Sequence, residues 1–404
     1  MSRALILGGG FAGCTVAFLL KRAGWDVTLI EKEKHLGGGC RTFFYGGHPF
    51  TYGPRVYYGY NKAAFDWLNS IVPLRLFPFE LKTYVETHER FYSYPIHEDD
   101  IHELNRIEEM TSFSEMTGGI TSIKAQLAHR DNSKPPADFE EYWIQRVGRT
   151  LYDLFVNNYS KKMWMIDDNK IFDIFKWSAK DKPIESGTRN AYKGSYIGYP
   201  VDLNGYNKYF DVMTEGVDVA LEGKGRTVAL WNKRFIGATD ADVVISTIPI
   251  DEFCGHQYGE LPYVGRDFSV FVLPVKQAFP GDVRFCHYAG SEPHTRITEF
   301  KKITYHESPD SLFVLETPSK NNKLYPYLCK NNMEMVRKYQ ESLPANCYSI
   351  GRLGRYVYST IEQTIVDAFK TAEKILGEKI PEADGMVHVG IGDTSLMKDR
   401  KEPA

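Results

Sequence analysis

A glycine-rich turn between a short apolar strand and a helix is the feature that most constrains the fold. The apolar run 4–7 precedes Gly8-Gly9-Gly10-Phe11-Ala12-Gly13, and the pattern of residues 14–23 indicates a helix. A second apolar strand, residues 26–30, ends in the acidic residue Glu31. This order is typical of a Rossmann-type βαβ unit. It predicts an α/β fold whose N-terminal part binds a dinucleotide.

Each residue of this unit has a physical role in holding a dinucleotide. Gly8 allows a sharp turn, Gly10 lets the backbone at Phe11 approach a pyrophosphate, and Gly13 allows close packing of helix on strand. The free N–H groups and the dipole of the helix start attract phosphates. Glu31 can accept hydrogen bonds from ribose hydroxyls and would repel a 2′-phosphate, which disfavours NADP. A glycine turn used only for packing would leave Glu31 unexplained.

A second glycine cluster distinguishes between FAD and NAD. Gly37-Gly38-Gly39 begins six residues after Glu31. Such a cluster allows a second close backbone approach along the ribityl chain and pyrophosphate of FAD. We therefore predict FAD, with Lys32 and Gly38 among the cofactor-binding residues, and NAD is the alternative.

Composition excludes several classes of function. The chain has 404 residues, 43% of them hydrophobic, which suffices for two or three domains. A net charge of −3 gives no argument for binding nucleic acid or an anionic membrane. The six cysteines form no C-x-x-C pair and have no zinc spacing, so we expect reduced thiols in a cytoplasmic protein without a metal site. No apolar run approaches the ~20 residues that span a bilayer.

Periodicity predicts further elements along the chain. A helical pattern covers 97–165 with a loop at 131–136, and the Gly-, Ser- and Tyr-rich segment 178–205 is predicted to be a mobile loop that returns to the sheet. The remaining predictions are helices at 61–72, 331–342 and 361–376, a hairpin at 74–95, strands at 217–221 and 242–247, and several strands within 266–316.

We therefore predict a Rossmann-type FAD-binding domain with an inserted helical domain and an antiparallel β-sheet domain. The predicted boundaries are 1–75, 196–250 and 333–404 for the FAD-binding domain, 76–150 for the mostly helical domain, and 151–195 and 251–332 for the substrate-side sheet domain.

Seven segments, in order along most of the chain, together resemble the UDP-galactopyranose mutase family. Beyond the FAD strand and second glycine turn (30–38), Asn158 to Trp164 is similar to the family's Tyr-Thr-Glu-Lys-Gln-Trp, and His294 to Glu299 to its Tyr-Thr-Arg-Ile-Ile-Glu. The other similar segments are Gly198-Tyr199-Pro200 with Gly205-Tyr206, Leu324-Tyr325-Pro326, Asn332-Met333-Glu334, and Gly351-Arg352-Leu353 with Tyr358.

The resemblance implies an unusual isomerisation. The family interconverts the pyranose and furanose forms of a nucleotide sugar, and it uses reduced FAD with no net oxidation. N5 of the flavin takes the anomeric carbon, the diphosphate leaves, and the opened sugar recloses through its 4-hydroxyl before the diphosphate returns. The partners implied are a nucleotide sugar and an external reductant such as NAD(P)H, and a homodimer is left open.

The same resemblance implies roles for individual residues. Arg296 would hold the diphosphate, helped by Tyr159, Tyr196, Tyr325 and Tyr358. Further residues implied are Arg189 as a lid arginine in the loop 178–205, Arg352 at the FAD pyrophosphate, and Phe155 and Trp164 beside the nucleobase or its ribose.

Three positions in two segments depart from the family pattern. The flavin-facing loop Gly-Ala-His-Ile-Phe-His is here Gly53-Pro54-Arg55-Val56-Tyr57-Tyr58, so both histidines are absent. Arg55 could stabilise an anionic reduced flavin, bind the diphosphate, bind a carboxylated sugar, or point away from the site. The family's aspartate two residues after the tyrosine matched by Tyr358 is Thr360. These changes indicate a substrate other than the family's usual one.

Two alternative functions follow from the same residues. One is an FAD-dependent oxidoreductase of the amine-oxidase or desaturase type, which would transfer hydride. The other is a flavin-binding protein that has lost catalysis.

Overall fold

The computed structural model describes residues 1–114, 122–130, 134–172, 184–222 and 240–386. The strands are β1 (Arg3–Leu7), β2 (Asp26–Ile30), β3 (Phe43–Tyr45), β4 (His48–Phe50), β5 (Tyr57–Gly59), β6 (Leu74–Leu76), β7 (Glu80–Val85), β8 (Arg90–Ser93), β9 (Ile96–His97), β10 (Ile184–Glu185), β11 (Tyr196–Pro200), β12 (Asp218–Ala220), β13 (Val243–Ser246), β14 (Tyr263–Leu273), β15 (Val283–Tyr288), β16 (Arg296–Glu299), β17 (Ser311–Ser319), β18 (Tyr325–Pro326) and β19 (Cys347–Ser349). The helices are α1 (Phe11–Arg22), α2 (Lys62–Ile71), α3 (Glu98–Ser114), α4 (Ile123–Ala128), α5 (Phe139–Tyr152), α6 (Asn158–Trp164), α7 (Asn207–Met213), α8 (Ile250–Phe253), α9 (Lys301–Thr304), α10 (Lys330–Glu341), α11 (Gly351–Gly354) and α12 (Ile361–Leu376).

A five-stranded parallel sheet forms the Rossmann-type domain that the N-terminal motif predicts. Its strand order is β12, β2, β1, β13, β19, and every neighbouring pair is parallel. The apolar side chains of β1 are buried, as expected where helices cover a parallel sheet. Helix α1 packs against β2 and α12. The strands β2 and β13 lie on opposite sides of β1, so the order in which strands are added to the sheet reverses at β1. Folds of this type bind nucleotides at such a switch point.

A seven-stranded sheet is the second large sheet of the structure. Its order is β18, β14, β17, β16, β15, β7, β8. The predicted antiparallel pairing holds for every neighbouring pair except β15 and β7, which run parallel.

The helical unit is shorter at its start than predicted. Residues 80–93, assigned from sequence to the helical domain, form β7 and β8 at the edge of the seven-stranded sheet. In β7, Leu81, Thr83 and Val85 are buried and alternate with partly exposed residues, so this strand has the period of a half-buried sheet. Helices α3 to α6 contribute to one core, which includes Leu104 and also Leu151, Phe155 and Trp164 from the segment predicted to belong to the sheet domain. The other domain boundaries stay a prediction.

Most of the element predictions are confirmed within one or two residues. The predicted helices appear as α2, α10 and α12, and the two strands as β12 and β13. The hairpin is shorter than predicted: β7 and β8 cover 80–93 of the predicted 74–95, and Leu74–Leu76 forms β6, which pairs with β11. Residues 131–133 of the predicted loop and 178–183 of the predicted mobile segment lie outside the described residues. Within that segment, Tyr196–Pro200 forms β11 between β5 and β6. Over the described ranges, no helix has both the length and the apolar content that crossing a bilayer requires.

Candidate functional site

A long cleft opens at the carboxyl ends of the parallel strands. It encloses about 1930 Å³ and extends from the first glycine turn to the seven-stranded sheet. Four segments that follow β1, β2, β13 and β19 line one end, and Arg296, Tyr325 and Tyr358 line the other. Ligands of open α/β sheets bind at this edge. The cleft therefore has the place and the size for an extended dinucleotide.

The first glycine turn has the geometry that a close phosphate approach needs. Gly8 has φ of 98°, a conformation that favours glycine. A Cβ on Gly13 would lie 2.0 Å from the Gly8 carbonyl oxygen, so this glycine is required for α1 to pack on β1. A Cβ on Gly10 would meet no atom within 4 Å, because Gly10 faces the open cleft at the N-terminus of α1. The predicted separate roles of these glycines agree with this geometry.

Glu31 holds the first turn as well as facing the cleft. The backbone N–H of Gly9 donates to Glu31 Oε2 at 2.7 Å, and that of Glu33 donates to Oε1 at 2.9 Å. Each carboxylate oxygen can accept more than one hydrogen bond. The carboxylate can therefore fix the turn and still accept from the hydroxyls of a ribose.

The second glycine turn faces the first across the cleft. The N–H of Gly37 donates to the Gly9 carbonyl at 2.8 Å, and a Cβ on Gly38 would lie 3.8 Å from Gly10 Cα. Gly37 and Gly38 both have positive φ, 113° and 50°. Lys32 lines the same cleft. The two turns bring backbone rather than side chains to one spot, which suits a pyrophosphate.

A second pocket adjoins the far end of the cleft. Its distal walls are mostly aromatic and include Phe155, Tyr159 and Trp164, which the sequence analysis assigned to the nucleotide. Ser160 is buried there, and its hydroxyl has no hydrogen-bond partner within the described structure. The two cavities share Tyr58, Tyr192, Phe285, Arg296, Tyr325 and Tyr358 as their common wall. A ligand of this pocket would therefore meet the end of a dinucleotide lying in the cleft.

Arg296 is held rigidly at this common wall. It lies opposite Glu316 in the antiparallel pair of β16 and β17. Its Nε donates to Glu316 Oε1 at 2.8 Å, and its Nη2 donates to Oε2 at 2.6 Å. Glu316 is only 1% exposed, and the Arg296 guanidinium also lies 4.9 Å from the Phe285 ring centre. This bidentate pair orients the guanidinium toward the pocket.

Arg266 is a second buried cation of the pocket that sequence analysis missed. It is 3% exposed, its Nη1 donates to the Gly265 carbonyl at 2.6 Å, and its guanidinium lies 4.9 Å from the Tyr325 ring centre. Arg352 lies 5.5 Å from the same ring. Among the described residues that line the pocket, only Glu316 is acidic. Three guanidinium groups, one in the common wall and one on each side of it, therefore make the surroundings of Tyr325 strongly cationic.

Tyr325 and Tyr358 stack in this cationic wall, with ring centres 5.6 Å apart. Burial raises the pKa of Tyr325, but Arg55, Arg296 and Arg266 lower it further, to about 8. Burial and the neighbouring Tyr325 raise the pKa of Tyr358. Near pH 8, one of these phenols is therefore close to ionisation and the other is not.

We expect the kcat/KM of an enzyme using this site for an anionic substrate to fall above about pH 8. Below that pH Tyr325 is a neutral donor, whereas above it the phenolate competes with the substrate for the guanidinium groups. Tyr325→Phe should remove this alkaline limb and lower the rate about tenfold through the lost hydrogen bond. Tyr358→Phe, the matched control, should keep the limb. An alkaline limb that persists in Tyr325→Phe would assign the ionisation elsewhere.

Two predicted site residues lie outside both cavities. The Arg189 guanidinium pairs with Asp100 at 3.1 Å and with Asp99 at 3.4 Å, so it is already neutralised away from the pocket. Tyr196 stacks on Phe65 with ring centres 4.6 Å apart. The structure therefore does not bring the expected lid arginine or this tyrosine into the site.

Thr360 lines the cleft at the N-terminus of α12. Its hydroxyl accepts from the N–H of Gln363, and the Gln363 side chain accepts from the Thr360 N–H, forming a capping box. A carboxylate at this position could cap the helix equally well. The departure from the family pattern therefore removes a charge from the cleft and keeps the helix cap.

Glu316 and Arg266 could have been found by strand periodicity. Glu316 shares the inward face of β17 with the buried Leu312 and Val314, and Arg266 follows the buried Val264 by two residues in β14. A charged residue at an inward position is costly unless it is paired or functional. His287, Tyr192 and Tyr58 carry no such signal. No group of three His, Cys, Asp or Glu that could hold a metal occurs among the described residues.

Two family models match the chain. The model described as UDP-galactopyranose mutase matches residues 154–358, about half of the 404 residues. The model described as an NAD(P)-binding Rossmann-like domain matches residues 6–71. The first match contains Arg266 and the common wall except Tyr58, and the second contains both glycine turns.

Individual proteins are similar over nearly the whole chain. A Klebsiella pneumoniae protein named "Probable UDP-galactopyranose mutase" is 25% identical over 394 residues, which cover 92% of this chain and 94% of that protein. The dTDP-fucopyranose mutase of Escherichia coli is 25% identical over 384 residues, covering 92% and 98%. The solved structure of reduced UDP-galactopyranose mutase matches with a TM-score of 0.74 at 15% identity, covering 95% and 96% of the two chains. Putrescine oxidase matches with a TM-score of 0.55 at 14% identity, covering 93% and 99%. The two structural matches establish the shared flavoprotein fold.

Proposed function

This chain belongs to the UDP-galactopyranose mutase family, and from that premise we propose that it interconverts the pyranose and furanose forms of a nucleoside-diphosphate hexose. The observation that carries the proposal is the cationic wall shared by a dinucleotide cleft and a second, aromatic pocket. One cavity suits the cofactor and the other suits the nucleotide sugar. Their contact through Arg296 and Tyr325 would bring the anomeric carbon to the end of the cofactor.

FAD is the cofactor that the two glycine turns and Glu31 fit best. When FAD is bound in its reduced form, its N5 supplies the nucleophile that takes the anomeric carbon, with no net oxidation. The protein's own part is to bind and orient both ligands. The N-terminus of α1 and Gly10 would hold the pyrophosphate, and Glu31 the ribose. A reduced nicotinamide is the reductant that we expect to maintain the cofactor in this state.

The common wall supports a leaving diphosphate. Arg266 and Arg296 line the sugar pocket beside Tyr325, and among the described residues Glu316 is the only carboxylate that pairs with them. This excess of positive charge suits a nucleoside diphosphate, which carries about two or three negative charges at neutral pH. Arg296 would bind the diphosphate throughout the reaction, because its pairing with Glu316 fixes its direction. Holding the released diphosphate close lets it return to the same carbon.

The aromatic pocket supports a base and a sugar that are shielded from water. Phe155 and Trp164 are almost fully buried and offer flat surfaces to a nucleobase, and Tyr159 stands beside the buried His287. The unpartnered Ser160 hydroxyl is the polar group in these walls that is available to the substrate. Excluding water protects the open-chain sugar from hydrolysis.

A flavin oxidoreductase that transfers hydride is the second candidate. Putrescine oxidase shares the fold, and a 1-hydroxycarotenoid 3,4-desaturase is 37% identical over 57 residues. That desaturase match covers only 14% of this chain. So short a match offers no support for hydride transfer.

The decisive experiment incubates dithionite-reduced, FAD-loaded protein with UDP-, GDP- and dTDP-hexoses and separates ring isomers by chromatography. We expect a furanose product from at least one UDP- or dTDP-sugar, no stoichiometric use of reductant, and no reaction with the oxidised protein. Turnover by oxidised protein with oxygen consumption would instead establish the oxidoreductase. Absence of any reaction across the panel, with flavin bound, would support loss of catalysis.

A further inference from the structure

Arg55 is anchored between the two loops that form the middle of the cleft. Its Nε donates to the Gly39 carbonyl at 3.1 Å and to the Tyr52 carbonyl at 2.9 Å. A Cβ on Gly39 would lie 3.4 Å from Arg55 Nη2, so the guanidinium runs along the second glycine turn. Its direction is therefore set by backbone carbonyls rather than by a carboxylate.

The positive charge of Arg55 is not neutralised by an acid in the described structure. No ion pair of Arg55 occurs there, and Glu316, a carboxylate that acts on Arg55 through its charge, is bound in bidentate fashion by Arg296. The side chains of Arg55, Arg296 and Glu316 converge around Gly53. A Cβ on Gly53 would lie 3.6 Å from both Arg296 Nη2 and Glu316 Oε1 and 3.8 Å from Arg55 Cζ. An additional negative charge is needed to balance the cluster.

The position of Arg55 indicates where that negative charge would come from. Arg55 lines the dinucleotide cleft, whereas the adjoining pocket is lined by Arg266 and Arg296 without it. This placement argues against a role for Arg55 in binding the diphosphate or a carboxylate of the sugar. Along the cleft, Arg55 lies between the glycine turns and the wall shared with the sugar pocket, where the flavin end of the cofactor would lie.

We propose that Arg55 sets the redox balance of the bound cofactor by stabilising the anionic, reduced flavin over the neutral, oxidised one. The inference rests on the proposed function only in assuming that FAD binds in the cleft. A fixed cation within several ångströms of a group favours the charged form of that group. The protein would thereby keep its cofactor in the state that pyranose–furanose exchange requires, using a residue type that the family's flavin loop lacks.

The test compares bound FAD in wild-type protein, Arg55→Gln and Arg55→Lys by spectroelectrochemical titration with dithionite and reference dyes. In Arg55→Gln, we expect the preference for reduced over oxidised FAD to fall about tenfold, which lowers the two-electron midpoint potential by about 30 mV. Arg55→Lys keeps the charge and should stay within about threefold of the wild type. Arg75→Gln removes an arginine that stacks on Tyr305 outside both cavities, and it should change nothing.

A second readout separates charge from loop positioning. The pH at which the reduced flavin gains a proton should rise in Arg55→Gln and stay unchanged in Arg55→Lys. If Arg55→Gln does not retain FAD, Arg55→His is used as the test variant instead. The midpoint potential of FAD bound to Arg55→His should fall below that of the wild type only at pH values at which the imidazole is neutral.

Two results would overturn the inference: an unchanged potential in Arg55→Gln, and an equal loss in Arg55→Gln and Arg55→Lys. An unchanged potential together with weaker binding of FAD in both redox states would place Arg55 on the pyrophosphate. The titration contains no sugar. A potential shift without mutase activity would therefore refute the proposed function alone, and mutase activity without a potential shift would refute this inference alone.

Discussion

Arg296→Ala should lower kcat of the reduced enzyme by about 100-fold or more while leaving its FAD content unchanged. The guanidinium is fixed by two hydrogen bonds to Glu316 and forms part of the wall of the sugar pocket. Removing one preorganised donor from a site where charge develops typically costs about 10² to 10³ in rate. The measurement is steady-state turnover with dithionite-reduced protein, alongside the flavin absorbance of the purified variant.

The design must separate chemistry from stability, because Arg296→Ala leaves Glu316 buried without its partner. Breaking a buried pair costs about 3–5 kcal/mol in the free energy of unfolding. The double variant Arg296→Ala, Glu316→Gln removes the orphaned charge, so it should regain most of the stability and none of the activity. Arg296→Lys keeps the charge without the bidentate geometry, so its turnover should lie between that of the wild type and that of Arg296→Ala. Wild-type turnover in the double variant would remove Arg296 from the reaction.

Gly10→Val should abolish FAD retention while leaving the stability of the apoprotein nearly unchanged. Gly10 has φ of −84° and ψ of −169°, which any residue adopts, and an added Cβ meets no protein atom within 4 Å. The new side chain would therefore occupy only the space where the pyrophosphate is expected. Losing two backbone hydrogen bonds to a phosphate, at about 1.5 kcal/mol each, lowers affinity about 100-fold. Calorimetric titration of FAD and thermal unfolding of the apoprotein measure the two effects.

Gly13→Ala is the contrasting control. A Cβ there would lie 2.0 Å from the Gly8 carbonyl oxygen, so this variant should lose fold stability together with FAD. Gly10→Ala should weaken FAD binding less than Gly10→Val, because the methyl group is smaller. A Gly10→Val protein that purifies with a full complement of FAD would show that the cofactor does not approach this turn.

The parts of the site that the sequence predicted are those built from contiguous residues. Gly8, Gly10, Gly13 and Glu31 belong to one local unit, whose spacing alone fixes their relative positions. The second turn could be placed beside this unit because Gly37 follows Glu31 by only six residues. Helical periodicity located α2, α10 and α12, because the burial of one helix face repeats at a regular interval along the chain.

The errors arose where a residue's neighbours come from distant segments. Arg189 was expected at the pocket, but Asp99 and Asp100, about 90 residues earlier, hold it elsewhere. Tyr196 was expected at the diphosphate, but Phe65 covers its ring. Residues 80–93 were assigned to the helical domain, although their partner strand β15 lies about 200 residues later.

The sequence by itself determined the Rossmann-type dinucleotide-binding unit and the family resemblance, and through that resemblance it predicted that Arg296, Tyr325 and Tyr358 belong to one site. Only the tertiary structure decided that Arg296 is clamped by Glu316, that Arg266 joins it, and that Arg55 lines the cofactor's side of the common wall. The physical reason is that a phosphate turn is encoded by local backbone geometry, whereas a charge cluster is created by strand register and packing between segments far apart in the chain.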